Sequence, residues 1–192
     1  RRFNLWSKKG VLTEIFQFLS RLSDPQWLFI DGSIIKAHQD GTNVSAQAQQ
    51  AIGTSRGGKS TKIHLAVDSG GLPVYFELSG GQAHDVSHGQ SLVESSPYSE
   101  VVVADKGYDS QALRELVSSR NAKHVIPRKG NSRTGNEDID WAMYRYRHLV
   151  ENAFLKIKKY RAVATRYDKL ARNYHSVVAL AFTLMWLPMW VD

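Results

Sequence analysis

Apolar residues recur along the chain at two periods, and the switches between them mark out its elements. From Gly10 to Leu22, Val11, Leu12, Ile15, Phe16, Phe18 and Leu19 fall at helical spacings, predicting an amphipathic helix that ends before Pro25. Trp27 to Ile30 is a short apolar run that stops at Asp31-Gly32-Ser33, so a buried strand is expected to carry a carboxylate to its end. Residues 36–60 are polar and rich in Gln, Gly and Ser, which predicts an irregular excursion with little core. Ile63, Leu65 and Val67 then alternate with Lys62, His64 and Ala66. After the turn Ser69-Gly70-Gly71, Val74, Phe76 and Leu78 alternate with Tyr75 and Glu77, completing a β-hairpin.

Asp85 to Glu94 has modest helical character. Val101 to Ala104 is uninterrupted, which suits a strand buried on both faces, and it stops at Asp105. Asp109 is expected to cap the next helix, through Leu113 and Leu116, and Val125-Ile126 before Pro127 makes a fifth strand. A turn-rich loop from Arg128 to Asn136 leads into a long helix from near Asp138 to about Tyr160. The run Val177–Val191, broken by Thr183 and Pro188, falls short of the roughly 20 residues of a membrane span and reads as a buried terminal helix. Hairpin-joined strands followed by helix-joined strands predict an α/β chain with a mixed five-stranded sheet flanked by helices.

Composition narrows the function classes. At 192 residues, 42% apolar and 22% charged, the chain suits one domain with a short helical extension. It has no cysteine, which excludes disulfide scaffolds, thiolate zinc sites and cysteine nucleophiles, and suits a reducing cytosol. Arg1-Arg2 is followed by Ser7-Lys8-Lys9 without the apolar core of a signal peptide, and the first methionine is Met143, so the reading frame is expected to start further upstream. Residues 1–119 carry 11 basic and 12 acidic side chains, whereas residues 120–173 carry 14 and 5. An excess this local favours a polyanion as partner, although a solvated surface helix would produce it too.

Gly53-Thr54-Ser55-Arg56-Gly57-Gly58-Lys59-Ser60 spells the phosphate-loop pattern. That motif needs a strand before it and a helix after it, so that backbone amides face the phosphates. Here the preceding residues 43–50 are polar and the following Thr61–Asp68 alternates as a strand, so both flanks contradict a nucleotide site.

Three acids form a better constellation. Asp31 and Asp105 each close a strand, and Glu151 lies on the long helix. Neighbouring carboxylates repel unless a hard cation joins them, and two such ions about 4 Å apart serve phosphodiester chemistry. On a helical wheel Tyr144, Arg147, Glu151 and Lys158 share a stripe about 60° wide, with Ala142, Leu149, Ala153 and Ile157 on the opposite, core-facing side. Arg147 and Glu151 also suit an ordinary surface pair worth about 0.3–0.5 kcal/mol, so spacing alone leaves both readings open. Of the other polar residues, Lys62 and His64 share a strand face that suits solvent or an approach to DNA or metal, and Glu77 reads as an exposed acid. Asp85 suits either a helix cap or support for the site, and Trp141 could stack on an exposed base.

These residues resemble the DDE transposases of bacterial insertion sequences, in particular the insertion-sequence-five family. The resemblance runs from Asp31 to about Tyr167 through Asp31-Gly32-Ser33, Gly57 to His64, Gly81-Gln82-Ala83-His84-Asp85, Asp105-Lys106-Gly107-Tyr108-Asp109 and the Y-R-E-K spacing Tyr144, Arg147, Glu151, Lys158. It implies a ribonuclease-H-like catalytic domain over residues 25–192, preceded by residues 1–24 as the tail of an N-terminal helical region. It further implies Asp31, Asp105 and Glu151 as ligands of two Mg²⁺ or Mn²⁺ ions, and Tyr144, Arg147 and Lys158 as contacts to DNA phosphates. The implied reaction is metal-dependent cleavage at transposon ends followed by strand transfer. Its partners would be double-stranded DNA, both the inverted repeats and the target, with a dimer joining two ends and no membrane. The setting would be the bacterial cytoplasm, at the nucleoid during action. The alternative is a truncated DNA-binding fragment without activity of its own.

Overall fold

The computed structural model describes residues 2–42, 50–130 and 132–187. Five strands make the body of one mixed sheet: β1 (Trp27–Ala37), β3 (Gly58–Val67), β4 (Pro73–Gly80), β5 (Val101–Ala104) and β6 (Lys123–Val125). β1 is central. It pairs antiparallel with β3, which pairs antiparallel with β4, and on its other side it runs parallel to β5, which runs parallel to β6. Two short strands complete the sheet, β2 (Gly53–Ser55) beside β3 and β7 (Thr165–Arg166) beside the far end of β1. This is the ribonuclease-H-like arrangement that the resemblance implied: a three-strand antiparallel meander extended by two parallel strands.

Side chains alternate across a strand, so one apolar run can feed two cores. Phe29, Ile63, Leu65 and Val103 point to one face, where α2 (Val11–Ser20), α7 (His148–Ile157) and α9 (Ala171–Trp186) supply Phe16, Val150, Phe154, Val178 and Phe182. Leu28, Ile30, Val102 and Ala104 point to the other, covered by Leu92 of α4 (Val86–Ser95) and Leu113 and Val117 of α5 (Gln111–Ser119). Both layers are dry: Phe29, Ile30, Val103 and Ala104 are all fully buried. A further helix, α1 (Arg2–Lys9), precedes α2, whose Phe16 packs edge-on to Phe76 and against Phe182.

Several expectations are corrected. β1 does not stop at Asp31. Its parallel pairing ends at Ile30, opposite Ala104, but the antiparallel ladder to β3 carries it on to Lys36. The excursion is accordingly shorter than residues 36–60 and contains β2, the start of β3 and a turn of helix, α3 (Gln39–Thr42); residues 43–49 of it lie outside the described residues. The long helix is three pieces: α6 (Trp141–Tyr144), a 3₁₀ turn over Arg145–Arg147, and α7. A 3₁₀ turn advances about 120° per residue, so the wheel slips at that point. Ala142 is therefore exposed, and the buried face of α7 is Val150, Ala153, Phe154 and Ile157. Ser110, rather than Asp109, caps α5, by accepting from the Leu113 N–H. The terminal helix ends at Trp186, with the expected stretch Pro188–Val191 outside the described residues, and no described helix is long and apolar enough to cross a membrane. The phosphate-loop look-alike is β2, a turn and the start of β3, with no helix leading out of it.

Candidate active site

The parallel register decides where the first two acids go. Trp27 to Ile30 pair with Val101 to Ala104, so Asp31 and Asp105 follow the last pair on adjacent strands. By alternation both share the side of Phe29 and Val103, the side that α7 covers. Each is braced by backbone: Gly32 N–H donates to Asp31 Oδ1 at 2.7 Å, and Gly107 N–H donates to Asp105 Oδ1 at 2.7 Å. Asp105 thereby caps the 3₁₀ turn Lys106–Tyr108.

The helical residues close over them. Arg147 Nη1 donates to Asp31 Oδ2 at 3.0 Å while its Nη2 pairs with Glu151, so one guanidinium spans both carboxylates. The Tyr144 ring lies under Arg147, with 5.9 Å from Cζ to the ring centroid. Lys158 Nζ donates to Ser33 Oγ at 2.7 Å. Tyr144, Arg147, Glu151 and Lys158, read from spacing, thus gather around the first half of β1.

Burial pushes the Asp31 carboxyl up to about 6; the Gly32 N–H and Arg147 oppose this, and the charges of Asp105 and Asp85 add to it. Burial draws Arg147 downward, but Asp31 and Glu151 outweigh it and hold the guanidinium above its usual value. For Lys158 burial wins, and its ammonium lies below the usual lysine range despite Asp31. Asp31 is thus a desolvated carboxylate whose negative charge is incompletely offset by the protein.

Three carboxylates are the hard oxygen donors that Mg²⁺ or Mn²⁺ takes. Among the described residues, however, no three His, Cys, Asp or Glu side chains are gathered closely enough to hold one ion. Between Asp31 and Glu151 stands the Arg147 guanidinium. The donor chemistry fits a divalent cation, and Arg147 supplies a positive charge between the two acids.

Comparison with known proteins gives the chain a family. A family model described as the transposase DDE domain matches residues 22–186. The chain belongs to this family. Among DDE relatives, a putative transposase for insertion sequence element IS6501 of Brucella ovis is 35% identical over 129 residues, covering 67% of this chain and 98% of that protein. A putative transposase for IS402 of Burkholderia cepacia is 24% identical over 143 residues, covering 69% of this chain and 65% of the relative. The transposase for IS1106 of Neisseria meningitidis serogroup B is 28% identical over 116 residues, which make up 58% of this chain and 40% of that protein. The chain therefore spans nearly all of one relative and under two thirds of others. Among solved structures, the piggyBac transposase synaptic complex with hairpin DNA aligns at 14% identity and TM-score 0.48, over 84% of this chain and 47% of that one.

Spacing missed a polar network behind Asp31 and Asp105, on the opposite face of the sheet. Lys62 and His64 are buried there, 8% and 0% exposed, because α4 covers the strand face that local pattern assigns to solvent. Lys62 Nζ donates to Asp85 Oδ2 at 2.7 Å; Asp85 precedes α4 but makes no capping hydrogen bond. His64 contacts Ser79 Oγ through Nε2 at 2.7 Å and stacks on His88 at 3.8 Å. Burial, then the charges of His88 and Lys62, push His64 down to about 3, so it is neutral at physiological pH. Glu77, read as an exposed acid, is half-buried and accepts from Ser91 Oγ at 2.8 Å beside a 2.5 Å contact to His88 Nδ1. Trp141 is exposed, with its edge toward Tyr144. The alternation of Lys62 with Ile63 did signal that Lys62 and His64 share a face; the cover on that face is a tertiary fact.

Proposed function

We propose that this chain is the catalytic part of an insertion-sequence transposase, cutting DNA at transposon ends and joining the freed 3′ end to target DNA. The observation that carries this reading is the parallel register of β1 and β5, which brings Asp31 and Asp105 side by side under Arg147 and Glu151. Residues 25–192 are the catalytic domain, with the helical residues 1–24 ahead of it. Asp31, Asp105 and Glu151 would hold two Mg²⁺ or Mn²⁺ ions, which when bound supply Lewis-acid stabilisation of the attacking and leaving oxygens.

The side chains then have separate tasks. Backbone amides of Gly32 and Gly107 fix one oxygen of each aspartate, and the other oxygen of Asp31 accepts from Arg147. Arg147 offers two donors in a fixed fork, a geometry that matches phosphate as well as carboxylate. Lys158, anchored on Ser33, sets a second positive charge along the same strand, and Tyr144 backs the Arg147 plane. Together they orient the scissile phosphate for in-line displacement by water in the first step and by the 3′ hydroxyl in the second. The basic excess between residues 120 and 173 holds the duplex. Double-stranded end and target DNA are the partners, two copies join two ends, and the reaction belongs to the bacterial cytoplasm.

Asp105→Asn should abolish Mg²⁺-dependent cleavage of an end duplex while leaving duplex binding intact. Cleavage at the wild-type rate would remove the assignment. Binding without any cleavage by the unaltered chain would favour the alternative, a DNA-binding fragment.

A further inference from the structure

Behind the proposed metal-binding acids lies an ion pair, its lysine buried and its aspartate half-buried, that the reaction scheme leaves unused. Lys62 sits on β3, two residues from His64, and His64 pairs directly with Gly32 of β1. Its Nζ donates to Asp85 Oδ2 at 2.7 Å and to the Ala83 carbonyl at 3.3 Å, and only 10% of the Lys62 side chain is exposed. Both partners press against the backbone next to Asp31. A methyl group at Gly32 would lie 2.2 Å from Asp85 Oδ1 and 3.0 Å from Lys62 Cε. Gly32 is therefore a window: with no side chain there, the pair approaches Asp31 from the opposite face of the sheet. Asp85 is among the charges that reach Asp31 through it.

Two opposite charges in contact, one buried and one half-buried, cancel at a distance, but each alone acts on its surroundings. We propose that Asp85 is a positioning residue that holds the Lys62 ammonium behind Gly32, so that it does not compete with a divalent cation for Asp31. This rests on the reading of Asp31 as a metal ligand. Asp85 has a second oxygen facing His64 Nδ1 at 3.7 Å, and the neutral His64 ring, fixed by Ser79 and His88, limits how far the carboxylate can turn. The loop Gly81–Asp85 thus delivers one carboxylate to one ammonium, and the product is a neutral backing for a negatively charged site.

The test is Mn²⁺ binding to the full chain without DNA, followed by electron paramagnetic resonance of the free ion, with unfolding midpoints measured in parallel. Asp85→Asn keeps the shape and removes the charge, and should weaken Mn²⁺ binding by about tenfold or more. Lys62→Met should bind Mn²⁺ at least as tightly as wild type, and the double variant Asp85→Asn/Lys62→Met should return to within a few-fold of it. A purely structural role would instead lower the unfolding midpoint in all three variants and leave the double variant no better than Asp85→Asn. That result, or wild-type affinity in Asp85→Asn, overturns the proposal. If Asp85→Asn fails to fold, Lys62→Met carries the decision, and weaker Mn²⁺ binding by that variant overturns it. Failure of the underlying site reading is a separate signal, namely no Mn²⁺ binding by wild type that Asp31→Asn removes.

Discussion

Replacing Asp31 by Asn should stabilise the metal-free protein at neutral pH. Burial raises the Asp31 carboxyl from 3.8 to about 6, so keeping it ionised in the fold costs free energy relative to the unfolded chain. At about 1.4 kcal/mol per unit, that cost is on the order of 3 kcal/mol. Only 19% of the side chain is exposed, so solvent screening removes little of it. Asn keeps the shape and an oxygen that can accept from the Gly32 N–H; its amide nitrogen then faces Arg147, which retains Glu151. The sign follows from linkage: a carboxyl raised in the fold contributes stability below its unfolded value and loses it as pH rises through the folded value. The advantage of Asn should therefore be full above about pH 6 and shrink toward zero near 3.8. Urea unfolding in a chelator across that range measures it, as a midpoint shift at unchanged slope. An Asn variant no more stable than wild type at neutral pH, or an advantage independent of pH, would refute the reasoning. Added Mg²⁺ should close the gap from the other side, because a cation bound only by the folded wild type stabilises it.

Two further outcomes are expected. Arg147→Gln should tighten Mn²⁺ binding by the DNA-free protein, since the guanidinium leaves the space between Asp31 and Glu151, and should lower the salt dependence of end-duplex binding by about one phosphate contact; an unchanged salt slope would argue against a phosphate contact. Arg166 is fully buried and donates to Thr61 Oγ1 at 2.6 Å and to the carbonyls of Ala51, Asp168 and Lys169, so Arg166→Met should cost about 2–3 kcal/mol in urea unfolding by leaving the last two without this donor, while Thr61 Oγ1 still donates to Ala51.

The parts of the fold written in local period were legible. The meander follows from alternation in Lys62–Val67 and Val74–Leu78, and the doubly buried strand from the unbroken run Val101–Ala104. What the sequence hid were features set by a partner. β1 continues past Asp31 because β3 pairs it there, although Asp31-Gly32-Ser33 has turn composition. Asp109 reads as a cap and Asp85 as a cap or as support for the site, yet each is claimed by a cation, Arg114 and Lys62, that only the fold brings near. Lys62 and His64 show the same effect on a strand, since alternation gives the face while α4 supplies its cover. The Y-R-E-K residues converge despite the 3₁₀ turn because Glu151 follows Arg147 by one helical turn and Arg147 is long enough to reach back to β1.

The site and the instability it introduces have one origin. Carboxylates placed where two parallel strands end are stripped of water by the helices that cover both faces, and burying a charge is unfavourable unless it is paired. In the cation-free protein Arg147 provides the pairing for Asp31 and Glu151, and Lys62 provides it for Asp85. Those two cations differ in what they can do next. Lys62 is buried and bound to Asp85 and a backbone carbonyl, so its place is fixed by the fold. Arg147 bridges to a Glu151 that is 48% exposed, on the face that would meet DNA, so a phosphate arriving there can take the guanidinium as the acids take a metal. An exchange of that kind would replace one partner of each charge by another, so the same arginine would serve the protein with and without DNA.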